Sequence, residues 1–444
     1  LVERGLLGGD CLNVGCVPSK ALLRASRVAY GLSEAARYGV RLPDGVRVDF
    51  GEAMARMRRL RADLARNDSA ERFQGLGVDV FLGAGRFTSR DTVEVNGAQL
   101  RFKRAVIATG GKPTLPPIPG LAEAGALTHE TVFSLTKLPS TLLVLGAGPV
   151  GCELAQAFRR FGAEVVILDR APRLLPGEDP DASALLAGRF EAEGIRLVLG
   201  ASLRQVERAG AVRTVTVERG GAVEQVSGDA LLVSAGRTPG LAGLGLDRAG
   251  VVSHPDGVTV NDRLRTSNPR IFAAGDVASI YRFTHAADAL ARIALQNALF
   301  FGRKRASALV IPWATYTDPE VAHVGLSSEA ARARSPAVST LTVPLEALDR
   351  AVLDGRTEGF ARFHLEPKKG RVLGATLVSE HAGELIGEVA LAMAEGLTAA
   401  AFARSIHPYP TQSEMLKRLG DAYNRTRLTP VVKRAMEWFL ARMR

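Results

Sequence analysis

Residues 8–20 read GGDCLNVGCVPSK and hold two of the chain's three cysteines, Cys11 and Cys16, with four residues between them. Two sulfurs at that spacing can clip a metal, staple a loop or cycle between thiol and disulfide. A structural zinc site needs a second ligand pair at metal spacing. The sequence holds none, and no metal ligand set is assigned. Three cysteines in 444 residues are too few for a secreted disulfide scaffold. The chain has no run of about 20 uncharged apolar residues and no signal peptide pattern. A reducing, cytoplasmic setting is therefore expected.

A second stretch points to nucleotide chemistry. Residues 138–170 read LPSTLLVLGAGPVGCELAQAFRRFGAEVVILDR. An apolar run (142–145) leads into Gly146-x-Gly148-x-x-Gly151. A helical pattern follows, with Leu154, Phe158 and Phe161 on one face, and a second apolar run ends in Asp169. This is strand, glycine turn, helix, strand, acid. Gly146 permits the tight turn, Gly148 lets backbone approach a pyrophosphate, and Gly151 lets helix and strand pack closely. The helix start, with Pro149 and Val150, turns N–H groups and a positive dipole toward phosphate. Asp169 stands where a carboxylate accepts from a ribose 2′-OH, which favours NAD over NADP. Arg170 and Arg173 follow and could instead receive a 2′-phosphate. Cys152 inside the helix start reads as a small core residue.

These motifs need elements to hold them. Residues 104–120 (RAVIATGGKPTLPPIPG) are a strand, the Thr109-Gly110-Gly111 turn and a proline-rich connector. Residues 231–240 repeat the strand-to-glycine pattern, with Gly236 and Arg237 at its turn. Residues 268–278 are a short strand closing on Gly275-Asp276. Flanking one complete βαβ unit, they suggest one nucleotide-binding domain interrupted by another. From residue 309 strands and an amphipathic helix follow without a glycine fingerprint, reading as a third, α/β domain. The expected division is 1–119 with 246–308, then 120–245, then 309–424, with a tail at 425–444. Net charge is +11, but the arginines are scattered and no basic module with aromatics occurs, so nucleic-acid binding is not expected.

The ordered set Cys11–Lys20 (CLNVGCVPSK), Ala108-Thr109-Gly110-Gly111, Gly146-x-Gly148-x-x-Gly151-x-Glu153, Ala274-Gly275-Asp276 and His407-x-Tyr409-Pro410-Thr411-x-x-Glu414 resembles the flavin-dependent pyridine nucleotide–disulfide oxidoreductases. That group includes dihydrolipoamide dehydrogenase, glutathione reductase and mercuric reductase, and the resemblance spans essentially the whole chain. It implies an α/β fold of two Rossmann-like domains, the NAD(P) domain inserted in the FAD domain, plus a dimerisation domain. It implies FAD and NAD(P)H as cofactors, and a homodimer whose active sites are shared between subunits. The family's opening strand and first FAD glycine turn would precede residue 1; either the natural N-terminus lies further upstream or the flavin site is incomplete, and the first is expected because the remaining FAD motifs are intact. Glu3 then stands as the carboxylate for the FAD ribose, with Gly9, Thr109, Gly110, Gly111, Gly275 and Asp276 in the flavin site and Gly236 and Arg237 among the cofactor-binding residues.

The same resemblance makes Cys11–Cys16 a redox-active disulfide against the flavin. Cys16 becomes the flavin-facing sulfur and Cys11 the interchange thiol. Residues five apart in a regular helix rise about 7.5 Å, whereas a disulfide needs Cα atoms within about 4.4–6.8 Å. A distorted turn is required, and Gly15 is placed to allow it. Both thiols need depressed pKa values to react near neutrality, and a following helix N-terminus helps. Lys20 and Glu153 are expected to pair beside the flavin.

The acceptor is decided elsewhere. Where dihydrolipoamide dehydrogenase and glutathione reductase place a catalytic His before Pro-Thr, with a Glu five residues later, this chain has Tyr409 with Glu414. A tyrosine, with an ordinary pKa near 10, is a poor base at neutral pH. Mercuric reductase has a tyrosine in this region, yet it also carries a C-terminal cysteine pair that this chain lacks after Cys152. His407 is the candidate substitute base. The reading is a mercuric reductase-like enzyme with a small-molecule, disulfide or metal-ion acceptor. A dihydrolipoamide dehydrogenase, a membrane-peripheral quinone reductase and a redox-inactive nucleotide-binding protein are the alternatives. Residues 425–444 carry six basic residues and one acid, Glu437. Val432, Ala435, Met436, Phe439 and Met443 share one helical face there. Such a helix either packs on the dimer or lies peripherally on the inner membrane surface.

Overall fold

The computed structural model describes residues 1–443; Arg444, the last cation of the tail, lies outside the described residues. The chain forms two compact units, Leu1–Pro172 with Phe190–Leu309, and Arg173–Arg189 with Val310–Arg444. Residues 173–189 fall within the stretch that the sequence reading gave to nucleotide binding, and their contacts are with the second unit.

The first unit is built around a four-stranded parallel sheet in the order Arg196–Leu199, Glu164–Asp169, Thr141–Leu145, Ala230–Val233. Its strands are apolar without alternation because both faces are covered. Leu143, Leu145, Val166, Leu168, Leu231 and Val233 are buried with Val206, Val215 and Val226 of an antiparallel three-stranded meander. The Pro149–Phe161 helix starts on Pro149 and stops on Gly162, whose φ of +109° suits a helix end. Against it lies the 19-residue Cys16–Glu34 helix, preceded by the short Gly9–Asn13 helix. The Phe50–Ala65 helix is capped by Asp49, whose side chain accepts from Glu52 N at 2.9 Å. Its Phe50 ring packs on Phe158 and Phe161 at 5.6 and 5.4 Å between centroids. The nucleotide-like connectors meet one another. Ala105–Ile107 pairs in parallel with Ile271–Ala273, and Gly111–Pro113 pairs antiparallel with Arg237–Pro239. Val2–Glu3 pairs in parallel with Phe81–Leu82.

The second unit is a five-stranded antiparallel sheet in the order Pro312–Thr315, Glu320–Gly325, Val372–Ser379, Phe360–Leu365, Ser339–Pro344. Helices Ala382–Ala394, Ala399–Arg404 and Glu414–Thr426 supply Ile386, Phe402, Leu416 and Leu419 to a core shared with Phe363 and Leu377. Beyond them the Pro430–Ala441 helix buries no residue, so its apolar face is exposed along its length.

Candidate active site

Cys11 and Cys16 sit on two different helices, and the break between them is what brings the sulfurs together. Gly15 has ψ −112°, and a Cβ there would lie 2.9 Å from Asp10 O and 3.3 Å from Cys11 Cα. Any side chain at this position would force the two turns apart. Both cysteines are free thiols, within hydrogen-bond reach of each other. Cys16 is the first residue of its helix, at the positive end of the dipole. The hydrogen bond from Cys11 lowers its pKa to about 6, helped by Thr284 and the Lys20 charge against the cost of burial. Thr284 Oγ1 lies 3.2 Å from Cys16 Sγ. Cys11 is pushed the other way, because its proton is held by Cys16 and the group is partly buried. A proton-sharing pair results, with the anion on Cys16. Cys11 opens on a cleft of about 300 Å³ lined by Leu12, Val17, Leu64, Asn67 and Thr284.

Lys20 Nζ meets Glu153 Oε2 at 2.7 Å, and Glu153 is only 4% exposed. A buried carboxylate needs such a partner. Arg237 ties three sequence motifs into one cluster. Its Nη2 bonds Asp10 Oδ2 and Gly111 O, and its Nε donates to Asp276 Oδ2 at 3.1 Å. His129 Nε2 lies 2.8 Å from Arg237 Nη1, and burial lowers the His129 pKa. Thr109 Oγ1 donates to Gly240 O at 2.8 Å, fixing the Thr109-Gly110-Gly111 turn beside the Gly236 connector. Glu3 Oε1 accepts from Gly5 N, and Gly9 starts the Cys11 helix.

The nucleotide turn has the form a pyrophosphate requires. Gly146 has φ +116°, and a Cβ there would lie 2.6 Å from Ser234 O. A Cβ on Gly151 would strike Gly146 O. Gly148 faces open space, so the backbone ahead of Pro149 and Val150 is approachable. These residues fit a dinucleotide. Asp169 Oδ2 accepts from Ala147 N at 2.6 Å and Oδ1 from Ala171 N at 2.7 Å, which pins the acid to the rim of the turn. Arg170 is exposed beside it. Cys152 is fully buried, as expected of a core residue.

In the second unit, the 407–414 segment is arranged differently from the expected dyad. Tyr409 is 69% exposed, and its hydroxyl donates to Asp349 Oδ2 at 2.7 Å. That hydrogen bond raises the Tyr409 pKa. Glu414 pairs with Arg418 at 2.9 Å rather than with Tyr409. His407 Nε2 lies 3.2 Å from Glu388 Oε1, and Nδ1 lies 3.2 Å from Ser405 O. Sequence reasoning missed Asp10, His129, Thr284 and Asp349. Only Thr284 had a local signal, a hydroxyl residue at the start of a helix.

Residues 1–291 match the model of the pyridine nucleotide-disulphide oxidoreductases, and residues 311–419 match the dimerisation domain of that family. The mercuric reductase of Lysinibacillus sphaericus is 37% identical over 94% of this chain and 76% of its own length. The dihydrolipoyl dehydrogenase of Thermus scotoductus is 34% identical over 96% of this chain and 92% of its own. Among solved structures, the HOCl-induced flavoprotein disulfide reductase RclA from Escherichia coli superposes with TM-score 0.83 at 28% identity, covering 95% and 93% of the two chains. The chain belongs to the pyridine nucleotide-disulphide oxidoreductases. It is an FAD-dependent disulfide oxidoreductase that uses a pyridine nucleotide, and its dimerisation domain supports a homodimer. The redox-inactive reading falls with that membership.

Proposed function

We propose that this oxidoreductase carries electrons from NADH through FAD and the Cys11–Cys16 pair to a metal-ion acceptor delivered as its thiolate complex. The observation that carries this is the asymmetric pair, with anionic Cys16 at a helix N-terminus and protonated Cys11 on an open cleft. When bound, FAD supplies two-electron transfer between the nicotinamide and the sulfurs. Reducing a disulfide breaks one S–S bond and, with one proton taken up, leaves one thiol and one thiolate. That is the state these two residues favour. Thr284 and Lys20 hold the negative charge at Cys16, and Cys11, after passing its proton to the Cys16 thiolate, is the sulfur that captures the acceptor and displaces one of its thiolate ligands.

Thr109, Gly110, Gly111, Gly275, Asp276, Arg237, Gly9, Glu3 and the Lys20–Glu153 pair are the residues to hold FAD. Gly146, Gly148, Pro149, Val150 and Gly151 cradle the nicotinamide dinucleotide. Asp169 puts negative charge where a 2′-phosphate would sit, which favours NADH, although Arg170 stands next to it. The acceptor reading rests on Tyr409. Its proton is committed to Asp349, so the exposed oxygen offers lone pairs and cannot act as a base near neutrality. We place the enzyme in the cytoplasm.

The second reading is a dihydrolipoamide dehydrogenase. The His407–Glu388 contact favours it, because a histidine beside a carboxylate is the usual base for thiol exchange. An anaerobic titration with NADH and NADPH tests the core of the proposal. A long-wavelength thiolate-to-flavin band should grow in after two-electron reduction and vanish in Cys16→Ser. A band that survives that substitution overturns the relay. Steady-state rates with Hg(II) thiolate complexes, lipoamide, glutathione disulfide and quinones then rank the acceptors. Fast lipoamide turnover lost in His407→Gln would establish the second reading instead.

A further inference from the structure

We propose that the Pro430–Ala441 helix is an in-plane anchor for an anionic lipid surface, an attachment independent of the redox chemistry. The helix is set by its own sequence. Thr429 caps it by accepting from Val432 N at 3.3 Å, and Pro430 stands at its first position. All 12 of its residues are exposed, with Val431 at 67%, Trp438 at 58%, Phe439 at 58% and Leu440 at 55%.

The exposure is not random around the circumference. At about 100° per residue, Val431, Val432, Ala435, Met436, Phe439 and Leu440 fall within one half of the helix. Lys433 borders that half on one side, beside Leu440. Arg434 borders it on the other, beyond Trp438, and Arg442, the residue that ends the helix, falls just inside that same margin next to Val431. The Arg442 guanidinium lies 3.5 Å from the centre of the Trp438 ring. The only acid, Glu437, lies in the narrow polar strip and pairs with Lys433 at 4.0 Å. An apolar half with cations along both margins matches the headgroup boundary of an anionic bilayer, where rings enter the acyl edge and cations meet phosphate.

A second copy of the chain is a poorer occupant. A twofold contact through the apolar half would bring the marginal cations of both copies together, with one acid per copy, Glu437, to offset them. The match to the dimerisation domain ends at residue 419, before this helix begins. Spanning is excluded by length, since 12 residues rise about 18 Å against a hydrocarbon core of about 30 Å. Among the described residues no helix is long and apolar enough to cross a membrane.

The test uses the FAD-loaded dimer and flotation with two vesicle types, pure phosphatidylcholine and phosphatidylcholine with about 30% phosphatidylglycerol. Binding to the anionic vesicles should exceed binding to the neutral ones at least about tenfold, and should fall steeply as salt is raised from about 0.05 to 0.5 M. Trp438 emission should shift to the blue on binding, a shift lost in Trp438→Phe. The pairs Lys433→Glu with Arg434→Glu, and Phe439→Ser with Leu440→Ser, should each lower binding at least about tenfold. NADH-dependent ferricyanide reduction should be unchanged in all of them, which separates anchoring from loss of fold. No binding, equal binding to neutral vesicles, or binding that survives both double substitutions overturns the proposal. So does conversion of dimer to monomer by the tail variants in light scattering, which would make the helix a subunit contact.

Discussion

At Cys16 a neighbouring thiol, a hydroxyl, a lysine and a helix dipole all favour the anion, while burial and the Glu153 charge oppose it. Because the thiolate is the reactive form, the rate of its electron transfer should rise with pH through about 6 and level above it. Thr284→Val keeps the shape and removes the hydroxyl. A hydrogen bond to a charged group is worth about 1.5–3 kcal/mol, so this variant should move the acid limb upward by roughly one to two pH units. A limb that stays in place in stopped-flow reduction at varied pH would show that Thr284 does not hold the charge. Lys20→Met removes the Lys20 ion pair from the buried Glu153. It should cost about 1–3 kcal/mol in urea unfolding, the lower end reflecting the half-exposed lysine, and Lys20→Met with Glu153→Gln together should recover part of it. The cysteines, Lys20 and Glu153 could be found in the sequence because their types and spacing carry the chemistry. Asp10 and Asp349 could not, because each acts through a contact distant in sequence, with Arg237 and Tyr409.

Among the elements, the glycine turn at 146–151 shows how little room a working loop leaves. Gly151→Ala would drive a Cβ into Gly146 O, tilting the helix away from the sheet. The KM for NADH should rise about tenfold or more, while dithionite reduction of the same protein stays intact. Unchanged KM would place the dinucleotide elsewhere. The strand–turn–helix–strand at 141–169 was legible because its apolar runs, glycines and acid are all local. The Thr109–Gly111 and Arg237 connectors were legible as turns but not as partners. Their antiparallel pairing joins residues more than 120 apart, and no periodicity records a pairing at that separation. The Cys11 and Cys16 helices illustrate the middle case. The need for a distorted turn at Gly15 followed from helix geometry, whereas the separate Gly9–Asn13 helix did not.

For the molecule as a whole, stability is tied to pH through the second unit. Burial raises the Glu178 pKa from 4.5 to about 7, and its Oε1 accepts from Trp313 Nε1 at 2.6 Å. The folded state then holds a proton that the unfolded chain has already lost. Stability from this group is complete below pH 4.5 and declines as pH rises toward about 7. Glu178→Gln keeps the acceptor and removes the titration. It should leave stability unchanged near pH 4 and add roughly 3 kcal/mol near pH 8, read from chemical denaturation at both values. A wild-type profile that is flat across this range would contradict it. Nearby, Asp179 Oδ2 receives Ser328 Oγ at 2.7 Å and Arg362 Nη1 at 3.1 Å, with both side chains nearly buried. Arg362→Met should cost about 3–5 kcal/mol, because the carboxylate loses its countercharge inside the protein. The chain enters this unit at 172/173, leaves at 189/190 and returns at 309/310. An expression fragment cut at Val310 would therefore carry Arg362 without Asp179. Such a piece should aggregate when made alone, and supplying residues 173–189 as a separate peptide should be the first remedy for anyone seeking the dimerisation module in isolation.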